Sequence, residues 1–260
     1  MPPLELNYPR PDIAVVTLNR PEKLNALSHE LVESLHATIG EIAANDDCRV
    51  VVLTGAGRGF CSGLDLTDPM PSAAGSLKFP QSGMRWQERI ADLTARINRL
   101  RQTVIAAVNG PAYGGGFGIA LACDIRLASG SARFCTQFIK LGLGGCDIGV
   151  SYTLPRIVGA GPAFDMILSA RVVDAEEALR VGLVTRLSNG SSLVDDALEV
   201  AETLCSYGKF GLESTKQVLW ANLEASSLEA ALHVENRSQM LASTSGEMRV
   251  ASEAFRHRRR

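Results

Sequence analysis

Apolar residues recur along this chain with two periods. Ile13–Leu18 is a short β-branched run that predicts a strand, closed by Asn19-Arg20-Pro21. Leu31, Leu35, Ile39 and Ile42 then fall on one helical face behind Ser28, a capping residue type, with Glu30 in the first turn. Val50–Thr54 is apolar without interruption, the pattern of a strand covered on both faces. Ile90, Leu93, Ile97 and Leu100 predict a helix over 86–100, and Val104–Val108 is a second continuous strand. Short strands are expected at 123–128 and 133–135. Helices are expected over 148–158, limited or kinked by Pro155, and over 162–169 and 174–181, with 182–187 as a last strand. From about residue 191 only the helical period remains, over 191–206, 210–223 and 227–242. Thr244-x-x-Glu247 then has the spacing of a capping box before a final helix. Alternating strands and helices predict an α/β class with a parallel sheet. The change of character divides the chain into a core over 1–205 and a helical region over 206–260, which either folds back on the core or meets other copies of the chain.

Two glycine-rich turns each follow a buried-type strand: Gly55–Leu66, ending in Gly63-Leu64-Asp65, and Gly114-Gly115-Gly116. Residues 67–83, rich in Pro, Gly and Ser, predict a loop, and a loop of that length in a domain is usually functional or disordered. Where a glycine turn opens a helix, the first N–H groups have no helical acceptor and sit at the positive end of the dipole, which suits an anion. A tight turn built only for close strand–helix packing would have the same sequence. Two such turns can bring two N–H groups to one oxygen, the oxyanion-hole arrangement that stabilises charge where it develops.

Composition narrows the field. The chain has 260 residues, 46% hydrophobic and 21% charged, with a net charge of −2, so nothing draws it to nucleic acid or to an anionic membrane. No apolar run approaches the roughly 20 residues of a bilayer span. The start, Met1-Pro2-Pro3-Leu4-Glu5, lacks the basic and apolar stretches of a signal peptide, and a cytoplasmic protein is expected. The 6 cysteines form no C-x-x-C pair and the 4 histidines are not grouped with them, which argues against a metal site and for reduced thiols. The dinucleotide fingerprint fails at Phe60 and Ile119, Gly208-Lys209 lacks the rest of a phosphate loop, and no G-x-S-x-G surrounds a serine.

With both turns in hand, the chain resembles the crotonase (enoyl-CoA hydratase/isomerase) superfamily over nearly its whole length. The matching segments include Leu18–Leu27, Val51–Gly55, Phe60–Leu66, Ala106–Gly110, Gly114–Gly116, Cys123–Arg126 and Leu154–Gly159. The resemblance implies a crotonase-like spiral of ββα units with a C-terminal helical oligomerisation region, a homotrimer or hexamer, and a coenzyme A thioester as substrate with no other cofactor. It implies that the thioester oxygen sits between the N–H groups of Leu64 and Gly115. Ala26, Ser62, Leu66, Trp86, Phe138 and Leu143 would line the substrate, with loop 67–83 and helix 86–100 beside the acyl chain. Lys23 and Lys216 would meet the phosphates; the tail Arg256, Arg258, Arg259 and Arg260 would do so too or remain a solvated end.

The chain also departs from the resemblance. Hydratases of this superfamily typically use two glutamates, and the corresponding positions here are Gly118 and Phe138, neither of which can carry a proton. One acid remains nearby, Asp147 in Gly144-Gly145-Cys146-Asp147-Ile148-Gly149. Its place matches the acid of some enoyl-CoA and dienoyl-CoA isomerases and the nucleophilic aspartate of an aryl-CoA dehalogenase. Asp147 as acid–base group, an acyl-CoA binding protein without turnover, and Asp147 as nucleophile are the three readings this leaves. Asp147 as a plain cap of a helix starting at Ile148 is the structural alternative.

Overall fold

The computed structural model describes residues 1–68, 80–188 and 192–258. The chain runs through β1 (Leu4–Arg10), β2 (Ile13–Leu18), α1 (His29–Ala44), β3 (Val50–Gly55), α2 (Gln81–Arg99), β4 (Thr103–Val108), β5 (Pro111–Tyr113) and α3 (Gly115–Ala122). It continues with β6 (Ile125–Ala128), β7 (Arg133–Cys135), α4 (Val150–Val158), α5 (Ala160–Ser169), β8 (Val173–Asp174), α6 (Ala175–Arg180) and β9 (Arg186–Leu187). Four helices close it: α7 (Leu193–Cys205), α8 (Lys209–Asn222), α9 (Leu228–Thr244) and α10 (Glu247–Arg258).

One sheet has the order β1-β2-β3-β4-β6-β9, parallel throughout except for the antiparallel β1–β2 pair. A smaller sheet, β5-β7-β8, is extended by single bridges between Cys61 and Ala112 and between Leu27 and Leu64. Strands β2, β3, β4 and β6 therefore each hand the chain to a short second-layer segment: Leu27, Cys61–Leu64, β5 and β7 in turn. From the first and third of these the chain goes straight into α1 and α3. This is the spiral of ββα units. It puts Leu64 and Gly115 at the ends of neighbouring second-layer segments.

Every residue of β3 and β4 is buried, as their uninterrupted apolar runs require. Val51, Leu53, Val104 and Ala106 face a core shared with α1, α2 and α3. Val50, Val52, Ile105 and Ala107 face the other way, onto Ala197 and Ala201 of α7. Those two alanines stand four residues apart on one helical face, and their small side chains let α7 lie close on the sheet.

Several elements depart from the sequence pattern. Strand β1 carries no clean alternation because it is an edge strand with most side chains in solvent, where Pro9 is tolerated. Helix α2 begins at Gln81, ahead of its first buried residue, Trp86. The expected capping box is not formed: Thr244 ends α9, and its hydroxyl donates to Leu241 O (2.8 Å). The Glu247 carboxylate instead accepts the N–H groups of Phe210 (3.0 Å) and Gly211 (3.2 Å), capping α8 across the chain. Most of the loop expected at 67–83, together with Arg259 and Arg260 and the side chain of Arg258, lies outside the described residues. No helix among the described residues is long and apolar enough to cross a membrane.

Lys216 is not a phosphate contact. It is buried, with Nζ 2.8 Å from an Asp124 carboxylate oxygen and donating to Gln102 O at 2.8 Å. Asp124 also accepts from Trp220 Nε1 (2.7 Å) and Val104 N–H (2.7 Å), so α8 is pinned to the core through one carboxylate. Lys216→Met should destabilise the protein by about 3 kcal/mol, near the low end for half of a buried pair because two donors to Asp124 survive. Chemical denaturation measures this, and the KM for an acyl-CoA should not change.

Candidate active site

The two glycine turns lie directly against each other. Gly63 has φ +94°, and a Cβ there would fall 2.9 Å from Tyr113 O and 3.4 Å from Gly115 N. A Cβ on Gly116 would fall 2.1 Å from Cys61 O, a backbone atom that cannot yield. Glycine at these two positions is what permits the contact. Leu27 bonds to both neighbours of Leu64: its N–H donates to Gly63 O (2.7 Å), and its carbonyl accepts from Asp65 N–H (3.1 Å). That pairing turns the Leu64 N–H to the opposite side. Gly115 is the first residue of α3, where an N–H has no helical partner. Among the described residues neither N–H donates to a protein acceptor.

A charge network under the first turn holds it in place. The buried Asp65 carboxylate accepts from the Thr67 hydroxyl (2.7 Å) and Thr67 N–H (3.0 Å), and pairs with Arg20 Nη2 (2.9 Å). The Thr67 bonds, then Arg20, outweigh burial and hold the Asp65 carboxyl at about 2. Arg20 also donates to Ala26 O at 2.5 Å, so the Ala26 and Leu64 segments share one clamp. Asn25, buried at φ 56°, accepts from Arg20 N–H and donates to Ala56 O and Gly59 O. The sequence does not mark Arg20, Asn25 and Asp65 as a unit, because nothing in their spacing shows that residues 20 and 65 meet.

Asp147 does not cap a helix with its side chain. Helix α4 starts at Val150 behind Gly149, which makes no side-chain cap. Asp147 Oδ1 instead accepts the Ile148 N–H (2.7 Å) and Gln87 Nε2 (2.5 Å). Both donors use Oδ1, and among the described residues no group donates to Oδ2. Burial pushes the Asp147 carboxyl above the usual carboxylate range, against the opposing pull of the two hydrogen bonds. Ile148 is buried, and its Cδ1 would lie 3.7 Å from a Cβ on Gly115 and 2.4 Å from one on Gly118. Asp147 is therefore one residue from a side chain packed on the first turn of α3.

The other expected substrate contacts divide into two groups. Ser62 N–H donates to Leu24 O (3.0 Å), and the buried Phe138 packs beside Gly114, its Cε1 3.5 Å from a Cβ built there. Ala26, whose carbonyl accepts from Arg20, lies on the Leu64 side. Trp86 is buried and stacks on His29 at 4.6 Å, fixing the start of α1 against α2. Leu64, Leu66 and Leu143 are exposed apolar side chains, and Lys23 is exposed with Nζ 3.4 Å from the Thr67 hydroxyl. Two free N–H groups and a nearby half-buried carboxylate can hold an oxyanion and carry a proton.

Comparison with known proteins places the chain in a family. The family profile described as enoyl-CoA hydratase/isomerase matches residues 10–260. A probable enoyl-CoA hydratase, echA12, of Mycobacterium leprae is 43% identical over 237 residues, 90% of this chain and 80% of that one. A 1,2-epoxyphenylacetyl-CoA isomerase of Escherichia coli is 35% identical over 250 residues, 96% of this chain and 94% of that one. The crystal structure of a probable enoyl-CoA hydratase/isomerase from Mycobacterium abscessus superposes with a TM-score of 0.92 at 38% identity, covering 98% of this chain and 96% of that one.

Proposed function

The chain belongs to the enoyl-CoA hydratase/isomerase family, and from that premise we propose that it is an acyl-CoA isomerase in which Asp147 moves a proton between carbons of the acyl chain. The observation that carries this reading is that the Leu64 and Gly115 N–H groups have no protein acceptor among the described residues, that Asp147 is bonded to the N–H of Ile148, whose side chain packs on the first turn of α3, and that Gly118 and Phe138 offer no acid. In a 3-enoyl thioester, Asp147 Oδ2 takes a proton from C2. The C–H electrons form an enolate that extends over C3 and C4, and the two N–H groups bind its oxygen. The carboxylic acid then returns the proton at C4, leaving the double bond between C2 and C3. One carboxylate suffices, and no water is consumed.

Lys23, exposed beside the Leu64 turn, suits a phosphate of coenzyme A. The exposed Leu219, Leu223, Leu228, Leu241 and Met248 on α8, α9 and α10 suit contacts in a homotrimer or hexamer. The relatives carry both kinds of name, a probable hydratase in Mycobacterium leprae and an isomerase in Escherichia coli, so the reading rests on the residues of the site. Assays of the native protein on both thioesters test the reading. Isomerisation of a 3-enoyl-CoA should exceed hydration of crotonyl-CoA by at least about 10²-fold, the usual worth of a missing acid–base group. Hydration as fast as isomerisation would overturn it, and so would tight acyl-CoA binding with no turnover of either thioester.

A further inference from the structure

Five non-glycine residues among those described have positive φ: Leu24, Asn25, Gln137, Ile148 and Ala170. Ile148 (φ 38°) is the only β-branched one, and a β-branched side chain is the worst suited to that region. Glycine follows it at position 149, also at positive φ (83°), so the turn itself makes no demand for isoleucine. A strained residue of this kind persists where the side chain or the geometry it imposes is used.

The Ile148 side chain is buried against α3. Its Cγ1 and Cδ1 both lie 2.4 Å from where a Cβ on Gly118 would be, and its Cδ1 lies 3.7 Å from where one on Gly115 would be. It thus occupies the volume beside Gly118, whereas beside Gly115 the nearer side chain is Leu27, its Cδ1 2.8 Å from where a Cβ would be; the Ile148 N–H holds Asp147 Oδ1.

We infer that Ile148 is the specificity-determining residue of this site: its side chain fills the volume next to Gly118, one turn along from the Gly115 donor, and keeps water from the β-carbon of a bound enoyl thioester. The inference rests on the isomerase reading. A water admitted there would add across the double bond. Its oxygen would bond to C3 as its proton passed to Asp147, the C2–C3 electrons would move to the enolate held by the two N–H groups, and C2 would take the proton from Asp147. The filled volume leaves the enolate only the proton return that completes isomerisation. Gly118 and Ile148 form one complementary pair, because the glycine leaves the space that the isoleucine takes.

The test compares crotonyl-CoA hydration with 3-enoyl-CoA isomerisation in the native protein, Ile148→Val and Ile148→Ala, with circular dichroism to confirm folding. Ile148→Val removes only Cδ1 and keeps most of the packing, so it serves if Ile148→Ala does not fold. The ratio of hydration to isomerisation should rise at least tenfold in Ile148→Ala and by a smaller factor in Ile148→Val. A side chain that only supports α3 would lower both rates together and leave the ratio unmoved. A native isomerase whose folded variants keep the native ratio overturns the assignment of Ile148 alone. A native protein inactive on both thioesters overturns the isomerase reading, and the assignment of Ile148 with it.

Discussion

Asp147→Asn should lower 3-enoyl-CoA isomerisation by about 10²- to 10⁴-fold, the range for loss of a positioned acid–base group. The amide can still accept from Ile148 N–H through its oxygen, so the turn before α4 should keep its shape. The KM should therefore change little and the loss should fall on kcat. The native pH profile should rise as Asp147 ionises, with its acidic limb above the usual carboxylate range, because burial favours the neutral form. The same shift has a consequence for stability. A carboxyl whose pKa is raised on folding binds its proton more tightly in the folded than in the unfolded chain. Stability contributed by the neutral form is present below the unfolded value and lost as pH rises through the folded one. Asp147→Asn should remove that slope, so at neutral pH the variant should be far less active and somewhat more stable than the native protein. Thermal melts across pH 3 to 8 beside the kinetic profile check both halves. An Asp147→Asn protein with full activity would remove Asp147 from the chemistry.

Gly118→Glu, which places a glutamate where the resemblance puts a hydratase acid, should give a destabilised protein and not a hydratase. The new Cβ would meet Ile148 Cγ1 and Cδ1 at 2.4 Å each, and Ile148 O lies 3.3 Å away. Overpacking of this kind costs about 1–3 kcal/mol, and a carboxylate left in an apolar site without a partner adds several more or takes up a proton. The expected total, about 3 kcal/mol or more, is a large share of a typical domain's stability. Combining it with Ile148→Ala removes the colliding atoms, so the double variant should be less destabilised than the sum of the two single changes. Urea denaturation of all four proteins measures that coupling. A Gly118→Glu protein as stable as the native one would show that the volume beside α3 is not filled as described.

The strands at 50–54 and 104–108 could be read from the chain because their apolar runs are continuous, which follows from burial on both faces of a parallel sheet, and the strand at 13–18 from its β-branched residues. β1 and β5 could not. One lies at a sheet edge with most of its side chains in solvent, and the other is a three-residue strand that opens on a proline. Lys216 shows a different limit. A lysine on an amphipathic helix looks solvated in sequence, and only the position of Asp124 and the Gln102 carbonyl reveals that it is an internal tie.

The site divides in the same way. The sequence alone determined that two glycine turns follow two buried strands, that a helix opens at Gly115, and that Gly118 and Phe138 carry no acid while Asp147 lies close by in the chain. Each is a local property, set by backbone freedom at glycine and by side-chain chemistry at one position. Only the tertiary structure decided that Gly63 rests on Gly115, that Arg20 and Asp65 clamp the first turn, that Gln87 reaches Asp147, and that Ile148 fills the space Gly118 leaves. Those facts depend on contacts between residues about 30 to 60 positions apart, where packing at van der Waals distance, and not the local pattern, selects which atoms meet.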